Sequence, residues 1–361
     1  MRKEVSLYLD LTRSLAALLV FVYHFSYARF SGELYSMYFG HEAVIVFFIL
    51  SGYVISFVVD IKENNMKNYL ISRFSRLYSV VLPVLLLIPI LDMIGQNVDS
   101  SIYVDKTTNS FYIIRLFANL TFSQEFWVFS FRYLSDGPLW SLGYEFWYYI
   151  LFGFAIFLEG KKKYILIGVT ALVIGPKILL LLPVWLFGAW IYDFHKNNNL
   201  NQRLARVLFL TTPFLFLYCF TFYDEINQCI YSLLGEDIKS KLGFSGAFIT
   251  DYITCFFVGL HILSMKYVHF ISFNKILYGG EKIIRFFANS SFSIYLFHFP
   301  LLLFFGAVLN HNPESISDIV ILFSVTLVSC LALAEVTEKK KYIYKKYITN
   351  IWNAIQNRIQ I

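Results

Sequence analysis

Arg13 and His24 stand out in the stretch Asp10-Leu-Thr-Arg-Ser-Leu-Ala-Ala-Leu-Leu-Val-Phe-Val-Tyr-His-Phe25, which is apolar apart from them, Asp10, Thr12 and Ser14. In a helix, the eleven steps from Arg13 to His24 turn the chain by about 1100°, which is three turns plus roughly 20°. Both side chains then share one face, about 16 Å apart along the axis. A guanidinium grips phosphate or carboxylate, and an imidazole takes and returns protons or carries an acyl group. Each has a plainer reading as well. Arg13 could snorkel to the nearer boundary, and His24 could be hydrogen-bond glue between helices.

Other isolated polar residues sit on similar apolar runs. In Gly137-Pro-Leu-Trp-Ser-Leu-Gly-Tyr-Glu-Phe-Trp-Tyr-Tyr149, helical spacing puts Trp140, Ser141, Tyr144, Glu145 and Tyr148 on one stripe. Glu145 falls about 10 Å below the expected outer surface, at the depth of His24, so the carboxylate could orient the ring. Ser291, Tyr295 and His298 form a third stripe, ended by Pro300. His298 reads equally as a structural or a catalytic residue. Ser51-Gly52-Tyr53 lies mid-run, where Gly52 permits close helix packing and Ser51 and Tyr53 could edge a channel. Arg73 and Arg76, three apart, would repel each other unless an anion sits between them, and a phosphate of a cofactor or a lipid headgroup would serve. His41, His195, His261, His269 and His311 fall in loops or near helix ends and carry no assignment.

The elements that must position these residues are membrane helices. The chain is 58% hydrophobic and only 15% charged over 361 residues, with mean hydropathy +0.60. Soluble domains carry roughly 25% charged residues, so the composition places the chain in a membrane. Apolar segments near 8–28, 42–60, 74–94, 138–158, 164–182, 183–194, 204–222, 246–265, 288–309 and 316–336 predict ten spans of an all-α polytopic protein. The segment 183–194 is short and, with Gly175, Pro176 and Pro183 nearby, predicts a broken or tilted element. Asp136 and Pro138 read as start signals for the fourth helix. Asp10 and Arg13 interrupt what would be the apolar region of a signal peptide, so the first run reads as a retained span.

Both termini are expected in the cytoplasm. That placement puts 23 of the 30 Lys and Arg residues on the inner side and leaves seven outside. The basic residues follow the loops rather than one wet face, which argues against nucleic acid as a partner. The tail, 338–361, is basic and expected to attract anionic lipid. Cys219, Cys229, Cys255 and Cys330 show no metal-type pairing, so no metal is expected.

Five stretches in this order resemble the acyltransferase family 3 membrane proteins, which O-acylate bacterial surface glycans. They are Arg13 with His24, Phe47-Phe-Ile-Leu-Ser-Gly-Tyr53, Arg73-Phe-Ser-Arg-Leu77, Pro138-Leu-Trp-Ser-Leu-Gly-Tyr-Glu-Phe-Trp-Tyr148 and Ser291-Phe-Ser-Ile-Tyr-Leu-Phe-His-Phe-Pro300. The resemblance covers nearly the whole chain. It implies an acyl-CoA donor, with acetyl-CoA expected as co-substrate and no bound cofactor. It also implies a sugar hydroxyl acceptor on a surface polysaccharide or its lipid-linked precursor, such as O-antigen, capsule or exopolysaccharide. The setting it implies is the bacterial inner membrane. On this reading His24 is base or acyl carrier and Glu145 supports it, while Arg13, Arg73 and Arg76 bind acyl-CoA. Ser51, Tyr53, Trp140, Ser141, Tyr148, Tyr295 and His298 then line the channel. The family's usual Glu-x-Pro after the last span is missing, since Lys339 and Lys340 follow Glu338, and Glu338 receives little weight. A stand-alone form without an appended hydrolase-like domain is expected. A glycan polymerase or flippase is the alternative, although a polymerase should concentrate its charges in outer loops and a flippase should line a cavity with many.

Overall fold

The computed structural model describes residues 2–34, 36–108, 110–268 and 271–359, with backbone alone for 236, 271–273 and 357–359. His269 therefore lies outside the described residues. The chain opens with α1 (Lys3–Phe25), a short α2 (Ala28–Ser31), α3 (Gly40–Lys62) and the long α4 (Met66–Val98). A 3-10 turn and α5 (Tyr112–Leu120) lead to α6 (Trp140–Phe157), α7 (Gly160–Ile174), α8 (Pro176–Asn197) and α9 (Gln202–Phe220). Short helices α10 (Tyr223–Leu234) and α11 (Glu236–Leu242) precede α12 (Phe248–Met265), and α13 (Ile271–Gly279) and α14 (Glu281–Ala288) follow it. Last come α15 (Ser291–Val308), α16 (Ile316–Val336), a 3-10 turn at Glu338–Lys340 and α17 (Lys341–Ile359). Among the described residues no strand forms beyond an isolated Tyr133–Asp136 bridge. The protein is an all-α polytopic membrane protein.

The expected spans fall on helices except 164–182, which straddles α7 and α8, and eight helical stretches among the described residues are long and apolar enough to cross a bilayer. The two that fall short are α6, whose Trp and Tyr residues lower its hydropathy, and α7, which has 15 residues. The expected division at 182/183 is corrected. The chain breaks at Gly175, where φ is +80°, and Pro176 opens α8 from its first turn. Pro183 is carried inside a continuous α8 of 22 residues. Asp136 does not cap the fourth expected span, which begins at Trp140 without a side-chain cap.

The helices nearest the centre are α1, α3, α4, α6 and α15. α1 packs between α3 and α15, and α15 also lies against α4 and α16. α3 and α8 cross at contact distance because glycines face the crossing. A Cβ on Gly52 would stand 1.9 Å from the Trp185 carbonyl oxygen, and one on Gly188 would stand 2.0 Å from that of Ile49. Nearly all of α15 is buried from Ser291 to Leu303, whereas α9 turns Val207, Leu210, Phe214 and Leu217 outward as a lipid-facing side should.

The loop from 99 to 139 is fixed by polar contacts rather than by regular structure. Ser135 donates its backbone N–H (3.0 Å) and hydroxyl (2.7 Å) to Asp92, Tyr133 donates to the Leu85 carbonyl (2.9 Å), and Asn119 donates to that of Phe131 (2.7 Å). A buried ion pair between Lys177 and Glu125, with Ser130 donating to Glu125 (2.7 Å), ties the loop to α8. The basic tail is not free either. α17 packs on α4, and Lys67 donates to Asn353 (2.8 Å) and Gln356 (3.0 Å).

Candidate active site

Two cavities meet at the centre of the bundle. The first opens onto about 690 Å³ of empty space and is lined by Asp10, Arg13, Arg76, Ser51, Glu145 and Ser141 among apolar neighbours. Glu145, on α6, accepts hydrogen bonds from Ser51 on α3 (2.7 Å) and from Tyr149. Trp185 donates its indole N–H to the same Ser51 oxygen (3.1 Å), so the serine is held from both sides. Arg13 donates to Asp10 (2.6 Å), which Arg285 grips from α14. The Arg76 carbonyl accepts from the Ser79 hydroxyl (2.8 Å), but its guanidinium makes no hydrogen bond with any described residue. It lies across from the Phe292 ring at 6.0 Å, within electrostatic reach of Glu145, Glu338 and Asp10. A guanidinium that faces a cavity without a hydrogen-bonded partner is well placed to take an anionic ligand.

The second cavity opens onto about 920 Å³ and contains His24, Tyr27, His41, Lys106, Arg132 and Trp140. Here the two histidines of the sequence stripes meet. His298 Nε2 lies 2.9 Å from His24 Nδ1, and His298 Nδ1 lies 3.0 Å from the Ile294 carbonyl oxygen. A carbonyl oxygen only accepts, which assigns the His298 proton to Nδ1 and leaves Nε2 as the acceptor for His24 Nδ1–H. The Val20 carbonyl, 3.1 Å from His24 Nδ1, agrees with that assignment. His24 Nε2 is then the nitrogen with a lone pair, and it has no hydrogen-bond partner among the described residues. His298 is fully buried and His24 half-buried. The arrangement is an imidazole oriented by a second imidazole, a geometry that suits proton transfer.

Tyr295 and Val44 line both cavities. The Tyr295 hydroxyl bonds Ser141 (2.7 Å) and the Pro138 carbonyl (3.0 Å), which fixes the ring between the two chambers, 6.4 Å from that of His298.

Several expected roles change. Glu145 lines the first cavity and shares no hydrogen bond with His24, whose partner is His298. Equal depth on two helices does not fix their rotation, and α6 turns Glu145 toward α3. Arg73 is buried, pairs with Glu63 (2.6 Å) and lies over Tyr69, so of the two neighbours Arg76 is the one that faces the cavity. Tyr53 bonds His195 (2.9 Å) in the α3–α8 interface, and Tyr148 donates to the Ile178 carbonyl (2.8 Å). Neither borders a cavity described above, nor does the fully buried His298. Ser51, Trp140, Ser141 and Tyr295 do.

Three groupings escaped the sequence reading. Glu338 is buried and accepts from the backbone N–H of Phe292 and Ser293 (both 3.1 Å), capping the helix that carries His298. His41 donates to the buried Asp251 (2.9 Å) and stacks on Trp140 at 5.9 Å. Arg285 secures Asp10. All three join residues far apart in sequence, and no helical period reports such a pairing.

The site is thus a histidine pair beside one cavity, with an arginine-lined cavity adjoining it at Tyr295. Residues 6–335 match the acyltransferase domain of acyltransferase family 3, and the chain belongs to that family. No curated protein and no solved structure matches it.

Proposed function

We propose that the protein moves an acyl group, acetyl being the expected one, from cytoplasmic acyl-CoA to a sugar hydroxyl of a bacterial surface polysaccharide or its lipid-linked precursor, in the inner membrane. Its termini face the cytoplasm on this reading. The donor occupies the Arg76 cavity, where Arg76 and Arg13 meet the anionic end and the thioester points toward Tyr295. The acceptor enters the His24 cavity. His24 Nε2 takes the hydroxyl proton as the oxygen attacks the thioester carbonyl. The C–O bond forms, the C–S bond breaks, and the proton passes to the departing thiolate. His298 spreads the charge that His24 gains.

The observation that carries this reading is the His298–His24 hydrogen bond beside a cavity, with Arg76 in a second cavity behind Tyr295. A flippase would need no base, and neither a polymerase nor a flippase would need a pocket for a thioester. Purified protein with acyl-CoA and glycan should release free CoA and acylate the glycan. The His24→Ala protein, at normal membrane abundance, should lose about 10²–10⁴-fold in rate. Full activity in His24→Ala would refute the assignment of the base.

A further inference from the structure

The His24 cavity carries more positive charge than a neutral sugar requires. Lys106 and Arg132 both line it, and Arg29 lies within electrostatic reach of Lys106. Lys106 sits 4.9 Å from the Tyr27 ring, which in turn lies 5.4 Å from the His24 ring, so the cation borders the base itself. Among the described residues the Arg132 guanidinium reaches only the Thr108 hydroxyl (3.3 Å) and the Asp105 carbonyl (3.5 Å). Among the described residues neither cation is within ion-pair distance of a carboxylate. Asp105 acts on Lys106 and Asp136 on Arg132 from farther away, while Asp251 is engaged by His41. Burial, followed by repulsion from Arg29 and Arg132, holds Lys106 below the ordinary lysine range. A bound anion would relieve that repulsion. The concentration is also uneven: only seven of 30 basic residues belong to the outer side of the expected topology, and Arg29, Lys106 and Arg132 are three of them.

We propose that the acceptor is recognised through a negative charge held by Lys106 and Arg132, with its hydroxyl presented to His24. This rests on the reading that the His24 cavity takes the acceptor. The charge is either the carboxylate of an acidic sugar or a phosphate next to the sugar, and the two sources share one subsite chemistry. Phe244, exposed and stacked on the buried Trp140 at 4.2 Å, gives the sugar an aromatic wall in the same cavity.

Saturation-transfer NMR on the full chain in lipid nanodiscs tests this with glucuronic acid, glucose 1-phosphate and neutral glucose as probes. Wild type should bind at least one anionic probe about tenfold more tightly than glucose, and the anion that gains identifies the source. In Lys106→Gln/Arg132→Gln that preference should fall to the level of glucose, and Lys106→Arg should retain it. Lys106→Gln alone supplies the answer if the double variant melts early, because the Lys106 ammonium has no hydrogen bond to lose among the described residues. Equal binding of all three probes by wild type, or undiminished preference in Lys106→Gln, would overturn the proposal. Release of CoA by wild type is read separately. Anion binding without it would sink the acyltransfer reading and leave the subsite standing.

Discussion

Arg73 and Arg76 are one helical turn apart and have different surroundings. Arg73 is closed in by Glu63 and the Tyr69 ring, whereas the Arg76 guanidinium faces a cavity with no hydrogen bond to the described residues. Removing one partner of a buried ion pair costs about 3–5 kcal/mol, because the other charge stays behind. Arg73→Gln should therefore lower melting temperature and membrane abundance while leaving the KM for acyl-CoA of the surviving protein unchanged. Arg76→Gln should do the reverse. One charge-assisted hydrogen bond is worth ~1.5–3 kcal/mol, which raises KM by roughly 10- to 150-fold. Thermal melts and KM measured on both variants check the split, and a KM effect in Arg73→Gln alone would contradict it. The sequence reveals that these arginines share a face of one helix. It cannot reveal Glu63 as the anion beside Arg73, since that depends on how the turn at residues 63–65 folds back.

At the scale of elements, α15 matters most, because it carries Ser291, Tyr295 and His298 and touches α1, α4 and α16. Its first turn leaves backbone N–H groups without helical partners, and Glu338 supplies their acceptor from beyond the end of α16. Glu338→Gln keeps the shape but weakens that cap by about 1–2 kcal/mol. Lower thermal stability and a lower kcat are expected, with KM for acyl-CoA changed less than in Arg76→Gln. Wild-type melting and kcat would remove Glu338 from the account. The missing proline after Glu338 in the family pattern concealed this role, which is set by geometry rather than by the following residue. Helix positions were legible from apolar runs, and the last expected span coincides with Ile316–Val336. The α7–α8 break was misplaced because Pro183 looks like a breaker, although Gly175 and Pro176 together make the turn.

For the whole molecule, the account requires donor and acceptor chambers to meet at Tyr295, with His24 and His298 on the acceptor side. Helical spacing alone places Arg13 and His24 on one face of α1, about 16 Å apart. The rotation of α6 and α15 against α1, which decides whether Glu145 or His298 reaches His24, was invisible, because periodicity orients residues within a helix and not between helices. The most direct measurement uses membrane vesicles of defined sidedness, radiolabelled acyl-CoA added outside and the glycan acceptor in the membrane. Vesicles with the cytoplasmic face outward should incorporate label, whereas vesicles of the opposite orientation should not, because CoA is too highly charged to cross the bilayer unaided. Equal labelling from both orientations would contradict a donor that enters from one face and an acceptor that is acylated at the other.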